Sequence, residues 1–368
     1  MLSRRNFLLL AGKAFLGTAF ARVATPDEPP TDPTEGASGD EWAFIRPHPA
    51  HTHLLGRITW STAVRERPTT QSELLGWVET GSIVPLFEAV DGPGPNPNNT
   101  TWWRIDGGYI YSAFVQPIAP YRMPTIITDM PDDFGFWAQV IAPYTIARLA
   151  PGGDPVSTRR EPFYSYSSVY HVVSIEERRG EIWYEVVDDM RPRTTCWVLA
   201  RHLRPIPEEE FAPINPLEED KQIIIVLSEQ RVYALEGDEI VFSTLCASGF
   251  GENATPLGWT RVQWKKPSRH MVGEDFNLPG VPWNTYFNAT EGFAIHGTYW
   301  HSDYGQPRSH GCVNVTPEAA NWIFRWTTPY PSYHNDFVLT QDLTAATPIV
   351  ILDYYDVETE GAWGGYGW

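Results

Sequence analysis

From about Lys221 onward, only one stretch of this chain carries a convincing helix pattern. Thr316-Pro317-Glu318 is a helix start with proline in the first turn, and Ala319 to Trp326 supplies the apolar face. Elsewhere apolar residues come in short alternating segments bounded by turn residues, among them Gly56 to Ser61, Ser82 to Phe87 and Trp102 to Tyr111. Strands of that length and spacing close into small barrels. At 368 residues the chain is too long for one ordinary domain. The expected fold is therefore mainly β and multidomain: two small β-barrels, then a mostly β third domain whose one clear helix starts just after a cysteine motif.

Composition narrows the class. With 42% hydrophobic and 20% charged residues the chain can build packed cores, and its formal charge of −18 repels nucleic acid and anionic lipid. Three cysteines, Cys196, Cys246 and Cys312, are too few for a disulfide scaffold, and the odd count leaves at least one free thiol. The start, Met1-Leu-Ser-Arg4-Arg5-Asn-Phe7-Leu8, resembles a twin-arginine export signal, followed by an apolar run too short for an ordinary membrane span. The protein is therefore expected outside the cytoplasm, in the periplasm or cell wall, with no membrane span once the signal is cleaved, or else held by it as an uncleaved N-terminal anchor. The expected order is a signal at 1–24, a proline-rich acidic linker at 25–42, a first barrel at 43–118, a second at 119–206, a linker at 207–220, a third domain at 221–353 and a glycine-aromatic tail at 354–368. The second barrel is read as an echo of the first, since Ile182 to Asp188 and Trp197 to Pro205 repeat the pattern of Trp102 to Pro117. Phe136 to Arg148 would supply its first strand.

The chemistry is concentrated between Ala294 and Asn314. His296-Gly297 follows the apolar run Phe293-Ala-Ile295, which reads as the end of a strand, and a polar loop leads on to Ser309-His310-Gly311-Cys312. A thiol attacks a carbonyl carbon well only as the thiolate, and a nearby imidazole can take its proton. Gly311 lets the backbone turn sharply before Cys312 and aims amide N–H groups at a developing oxyanion. His296, His301, His310, Asp303 and Cys312 also invite a zinc reading, but a glycine-bearing loop without helical spacing is not a recognised zinc signature, so no metal and no cofactor are expected.

These residues resemble the signature of the YkuD-type L,D-transpeptidases: a His-Gly pair, a loop, then Ser/Thr-His-Gly-Cys. Upstream, Gln222 to Gly237 resembles the family's opening strand pair and Thr255-Pro-Leu-Gly258 its Thr-Pro-x-Gly turn. The segment from Val64 to Pro68, with the later run Trp103 to Val115, resembles bacterial SH3-like modules, so both barrels are expected to be SH3-like and to bind wall glycan or peptide. The family resemblance implies a peptidoglycan enzyme in which Cys312 is the nucleophile, His296 its base, the Gly297 carbonyl the orienter of His296, and His310 a residue shaping the loop. Donor and acceptor would both be stem peptides, joined through a thioester on the cysteine, and carbapenems would acylate the same thiol. Water as acceptor would make the protein an L,D-carboxypeptidase; a degenerate site would leave only a wall-binding protein. Tyr299 and Trp300 are expected to wall the peptide groove, His301 to line its entrance, Ser309 to hydrogen-bond substrate or loop backbone, and Arg308 to offer a cation to a substrate carboxylate. Many relatives carry arginine two residues after the cysteine, where this chain has Asn314, a further candidate contact for substrate.

Overall fold

The computed structural model describes residues 54–156, 163–189, 194–274 and 276–354. The expected signal, the first linker and the tail beyond Tyr354 lie outside these residues. Mostly β architecture with a single α-helix is what the described residues form.

The first β-unit holds β1 (Leu54–Ile58), β2 (Thr62–Arg65), β3 (Leu74–Val78), β4 (Ile83–Leu86), β5 (Glu88–Asp91), β6 (Thr101–Ile105), β7 (Gly108–Tyr111) and β8 (Val115–Ile118). They make two sheets, ordered β4-β1-β8 and β3-β2-β7-β6-β5. In the second unit are β9 (Phe136–Val140), β10 (Tyr144–Ile146), β11 (Phe163–Ser165), β12 (Val169–Arg178), β13 (Glu181–Asp188), β14 (Thr194–Leu199) and β15 (Leu203–Pro205). Phe136 to Arg148, expected as one strand, breaks after Val140, because Pro143 cannot donate to a ladder. Both units end alike. Two antiparallel strands are followed by a short 3₁₀ turn, at Ser112–Phe114 and Ala200–His202, and by a last strand that pairs back onto the unit's first.

The C-terminal part holds two five-stranded sheets. One contains β16 (Lys221–Val226), β17 (Arg231–Glu236), β18 (Glu239–Leu245), β19 (Gly258–Arg261) and a strand supplied by Pro348–Leu352. The run Ile223-Ile-Ile-Val226 is buried at every position, as a central strand covered on both faces requires. The other contains β20 (Trp264–Val272), β21 (Asn277–Asn288), β22 (Phe293–Gly297), β23 (Val313–Val315) and a short edge strand at Val338–Leu339. Between β23 and the end of the chain runs α1 (Pro317–Trp326), whose buried residues Ala319, Ala320, Ile323, Phe324 and Trp326 share one core with Ile223, Ile225, Ile295 and Val313. Thr316 caps α1 by accepting a hydrogen bond from Ala319 N (3.2 Å). At the other end the fully buried Lys265 donates from Nζ to the carbonyls of Phe324 (2.7 Å) and Thr327 (2.5 Å). Each of those carbonyls would otherwise be buried unpaired, at a cost of about 1–3 kcal/mol.

The second unit is not an appendage. Trp137 and Val169 belong to the same core as α1, and Ser268 of β20 donates its hydroxyl to the Val169 carbonyl. Among the described residues no helix is long and apolar enough to cross a membrane.

Candidate active site

β22 lies between β21, antiparallel to it, and β23, parallel to it, with Ile295 opposite Val313, His296 opposite Asn314 and Gly297 opposite Val315. Side chains alternate faces along a strand and registered partners share one. Ile295, Val313 and Val315 lie in the core with α1, so Ala294, His296, Asn314 and, one residue before β23, Cys312 fall on the opposite face. His296 and Cys312 are thus one strand and two positions apart on a common surface.

His296 is 2% exposed, and its Nδ1 sits 3.1 Å from the Gly297 carbonyl oxygen. That contact keeps the proton on Nδ1 and leaves the Nε2 lone pair as the ring's acceptor. Burial lowers its pKa to about 4, the Gly297 carbonyl opposing, so the imidazole is neutral at neutral pH. Cys312 is half-buried. Burial pushes its thiol up to about 11, opposed by a hydrogen bond from the Ala294 backbone. The Sγ hydrogen donates to the Gly292 carbonyl at 3.7 Å. The imidazole–thiol hydrogen bond expected from the sequence is therefore not made in this resting arrangement, in which both partners are neutral.

Gly311 has φ +112°, and a Cβ there would lie 2.3 Å from the Phe293 ring. Only glycine fits this turn. Its N–H donates to Ser309 Oγ (3.2 Å), which commits it within the turn rather than to an oxyanion, while Ser309 donates in return to the Cys312 carbonyl. Ser309 thus bonds loop backbone. Thr255, of the Thr-Pro-x-Gly turn, accepts from Gly249 N (2.8 Å) and donates to the Gly311 carbonyl (3.0 Å). His310 is exposed, its ring 5.3 Å from that of Phe276.

Several residues expected to meet substrate are instead internal struts. Tyr299 is 5% exposed and donates its hydroxyl to the Pro279 carbonyl (2.6 Å), so it presents no wall to a peptide. Trp300 is half-buried with its ring 5.8 Å from that of His296. His301 does not line an entrance: it is buried, accepts at Nδ1 from Asp303 N (3.1 Å), and its Nε2 lies 2.9 Å from Asn314 Nδ2. Burial first, then the charge of Arg308, lowers the His301 pKa to about 3. Asn314 is held there as well by backbone hydrogen bonds to Ala247, and the Arg308 guanidinium is tied to Asp303 at 2.8 Å. Neither is placed to receive a substrate carboxylate.

On the opposite wall sequence reasoning missed Arg269, and of Tyr286 it saw only an aromatic residue that could line the groove or merely pack. Tyr286 registers with Ala294 on β22, which puts it in the row leading to Cys312, and it stacks on Trp264 with centroids 3.5 Å apart. Its hydroxyl pKa is raised, first by burial and then by nearby Cys312, while the charge of Arg269 opposes. Arg269 and Lys266 share one carboxylate of the second unit, Asp189, at 2.7 and 2.8 Å. Beside them His270 Nδ1 meets Asp188 Oδ1 at 2.5 Å. Only the strand pairing brings these groups together, and no spacing in the sequence signals it.

The model of the YkuD family, L,D-transpeptidase catalytic domain, matches residues 220–351. No curated protein matches the chain. Similar solved structures include an L,D-transpeptidase (Yku) from Stackebrandtia nassauensis, 18% identical over 37% of this chain and 56% of that one, with a TM-score of 0.27. Others are the catalytic domain of the E. faecium L,D-transpeptidase (22% identity, 36% and 98% coverage, TM-score 0.28) and the L,D-transpeptidase from Mycobacterium smegmatis (13%, 50% and 98%, 0.29). This chain thus spans little more than half the length of the Stackebrandtia chain. Residues 220–351 are a YkuD-type L,D-transpeptidase catalytic domain.

Proposed function

We propose that this protein is an exported enzyme that cross-links peptidoglycan stem peptides through a thioester on Cys312. The observation that carries the reading is the placement of Cys312 and His296 on one face of adjacent parallel strands, inside a domain of this family. His296 Nε2 takes the thiol proton as Sγ attacks the carbonyl carbon of the third residue of a donor stem. The bond from that carbon to the terminal D-alanine then breaks, and the imidazolium returns its proton to the leaving amine. An amine of a second stem attacks the thioester, forms the amide cross-link and releases the thiol, again with His296 moving the proton. Because thiol and imidazole are both neutral at rest, the proton moves only as the charge of the sulfur is delivered to the carbonyl. The reaction requires Sγ to leave the Gly292 carbonyl and turn toward the ring; catalytic hydrogen bonds commonly tighten only when substrate is bound. The twin arginine at Arg4-Arg5 supports export.

Arg269 is the cation for a stem-peptide carboxylate: like Arg308 it is paired with a carboxylate, but Lys266 shares that carboxylate and leaves one positive charge in surplus. The charge of Arg269 acts on the Tyr286 hydroxyl, which stands in the row leading to Cys312. Incubating the purified chain with defined disaccharide tetrapeptides should release D-alanine and give a dimer linked between third residues, read by mass. Release without dimer assigns a carboxypeptidase instead, and unchanged tetrapeptide ends the reading. In the same assay Arg269→Gln should raise KM about tenfold with a smaller change in kcat, the loss of one charge-assisted hydrogen bond. An unaltered KM removes Arg269 from substrate binding.

A further inference from the structure

The loop joining β22 to β23, residues 298–312, is gripped by the first β-unit through its main chain. Arg57 Nη2 of β1 donates to the Tyr299 carbonyl (2.5 Å), Asn96 Nδ2 to that of Tyr304 (2.9 Å) and Asn98 Nδ2 to that of Gly305 (2.9 Å). In the reverse direction Ser302 N donates to the Ala113 carbonyl (3.1 Å). The donors are themselves fixed. Arg57 Nε is held by Gln116 Oε1 (2.9 Å), Gln116 by the Tyr166 carbonyl of the second unit (3.1 Å), and Asn96, 1% exposed, accepts from Asn98 N (3.0 Å). Gly305 is clasped from both sides, since its N–H donates to the Cys246 carbonyl of the C-terminal part (2.7 Å). It has φ +93°, and a Cβ on it would lie 2.7 Å from Asn98 Cβ.

Beyond the clasp the same loop returns to the site. Tyr304 reaches Thr298 Oγ1 (2.6 Å) beside His296, Asp303 holds Arg308, and the amides of Arg308 and Ser309 both donate to the Ser248 carbonyl at 2.8 and 2.9 Å. Residues that carry Cys312 are thus continuous with residues seated on another unit. We infer that the first β-unit is a positioning element of the catalytic centre, with Arg57, Asn96 and Asn98 buttressing the loop that sets Cys312 against His296. This rests on the reading of Cys312 as nucleophile, and it gives residues 54–118 a role separate from wall attachment.

The test uses the full chain with Arg57→Met and, separately, Asn96→Ala combined with Asn98→Ala. Acylation by imipenem, followed by intact mass, should fall about tenfold to a hundredfold in its rate at saturation, as expected for misplacement of reacting groups, with little change in the half-saturating concentration. Arg57→Lys, which keeps a cationic donor for the Tyr299 carbonyl on a single nitrogen, should recover part of the rate. Two readouts distinguish positioning from general damage. Hydrogen exchange should quicken over residues 299–312 while α1 stays protected, and the acid limb of the pH–rate profile should move up toward the ordinary histidine range as water reaches His296. Variants with native circular dichroism, unchanged exchange in the loop and unchanged acylation overturn the inference. Should Arg57→Met fail to fold, the double asparagine variant decides. Should the parent chain take no imipenem on Cys312, the functional reading fails on its own, and loop exchange with iodoacetamide alkylation of Cys312 still decides whether the unit acts as a buttress.

Discussion

Replacing Cys312 by alanine is expected to abolish both the imipenem adduct and the cross-linked dimer, a loss of about 10⁴ or more in rate, as when a nucleophile is removed from an acyl-transfer enzyme. The fold should survive. Cys312 is half-buried, and its hydrogen bond to the Gly292 carbonyl is long, so the stability change should be about 1 kcal/mol or less. Assignment is clean because the other two thiols are buried: Cys196 is 2% exposed beside the Tyr164 hydroxyl, and Cys246 is fully buried with its pKa raised by that burial. Cys312→Ser keeps the shape but not the acidity, and should be nearly as inactive. Intact mass after exposure to imipenem, with circular dichroism as the control for folding, checks both variants. An adduct on the alanine variant would move the nucleophile elsewhere.

His296→Gln should lower acylation about 10²- to 10⁴-fold at neutral pH, the usual worth of a positioned general base. Its sign with pH is specific. In the parent enzyme the imidazole can accept a proton only above about 4, and the thiol keeps one to give only below about 11, so kcat/KM should rise through the first value, stay high between them and bend at the second. The glutamine variant has no base and must wait for thiolate, so its rate should climb steadily with pH and approach the parent's near the upper limit. An acid limb near 6.5 in the parent would mean an imidazole open to water. A variant that keeps half the activity at neutral pH would mean another base.

How much of this was legible beforehand follows the range of the interactions involved. Thr316-Pro317 and the alternation Ile295, His296, Gly297 are local patterns, and helix start and strand came out where the sequence places them. The glycine before Cys312 was also readable, because a sharp turn asks for a residue that tolerates positive φ. What failed was the direction of side chains inside the loop. Tyr299, His301, Arg308 and Asn314 are polar or aromatic residues near a nucleophile, and nothing local tells which of them will find a partner in Pro279, Asp303 or Ala247. Arg269 escaped notice for the converse reason, since it comes near Tyr286 and the row leading to Cys312 only through the pairing of β20, β21 and β22.

Three of the bonds between the first unit and the loop end on peptide oxygens, and the fourth joins one peptide to another. Recognition of that kind is blind to what the loop residues carry beyond Cβ. Except at Gly305, where a Cβ would meet Asn98, substitutions there can accumulate without loosening the joint, whereas adding or deleting one residue would shift all four atoms out of reach together. Dependence of the reacting centre on a distant part of the same polypeptide would then leave little trace in residue identity and a clear one in length.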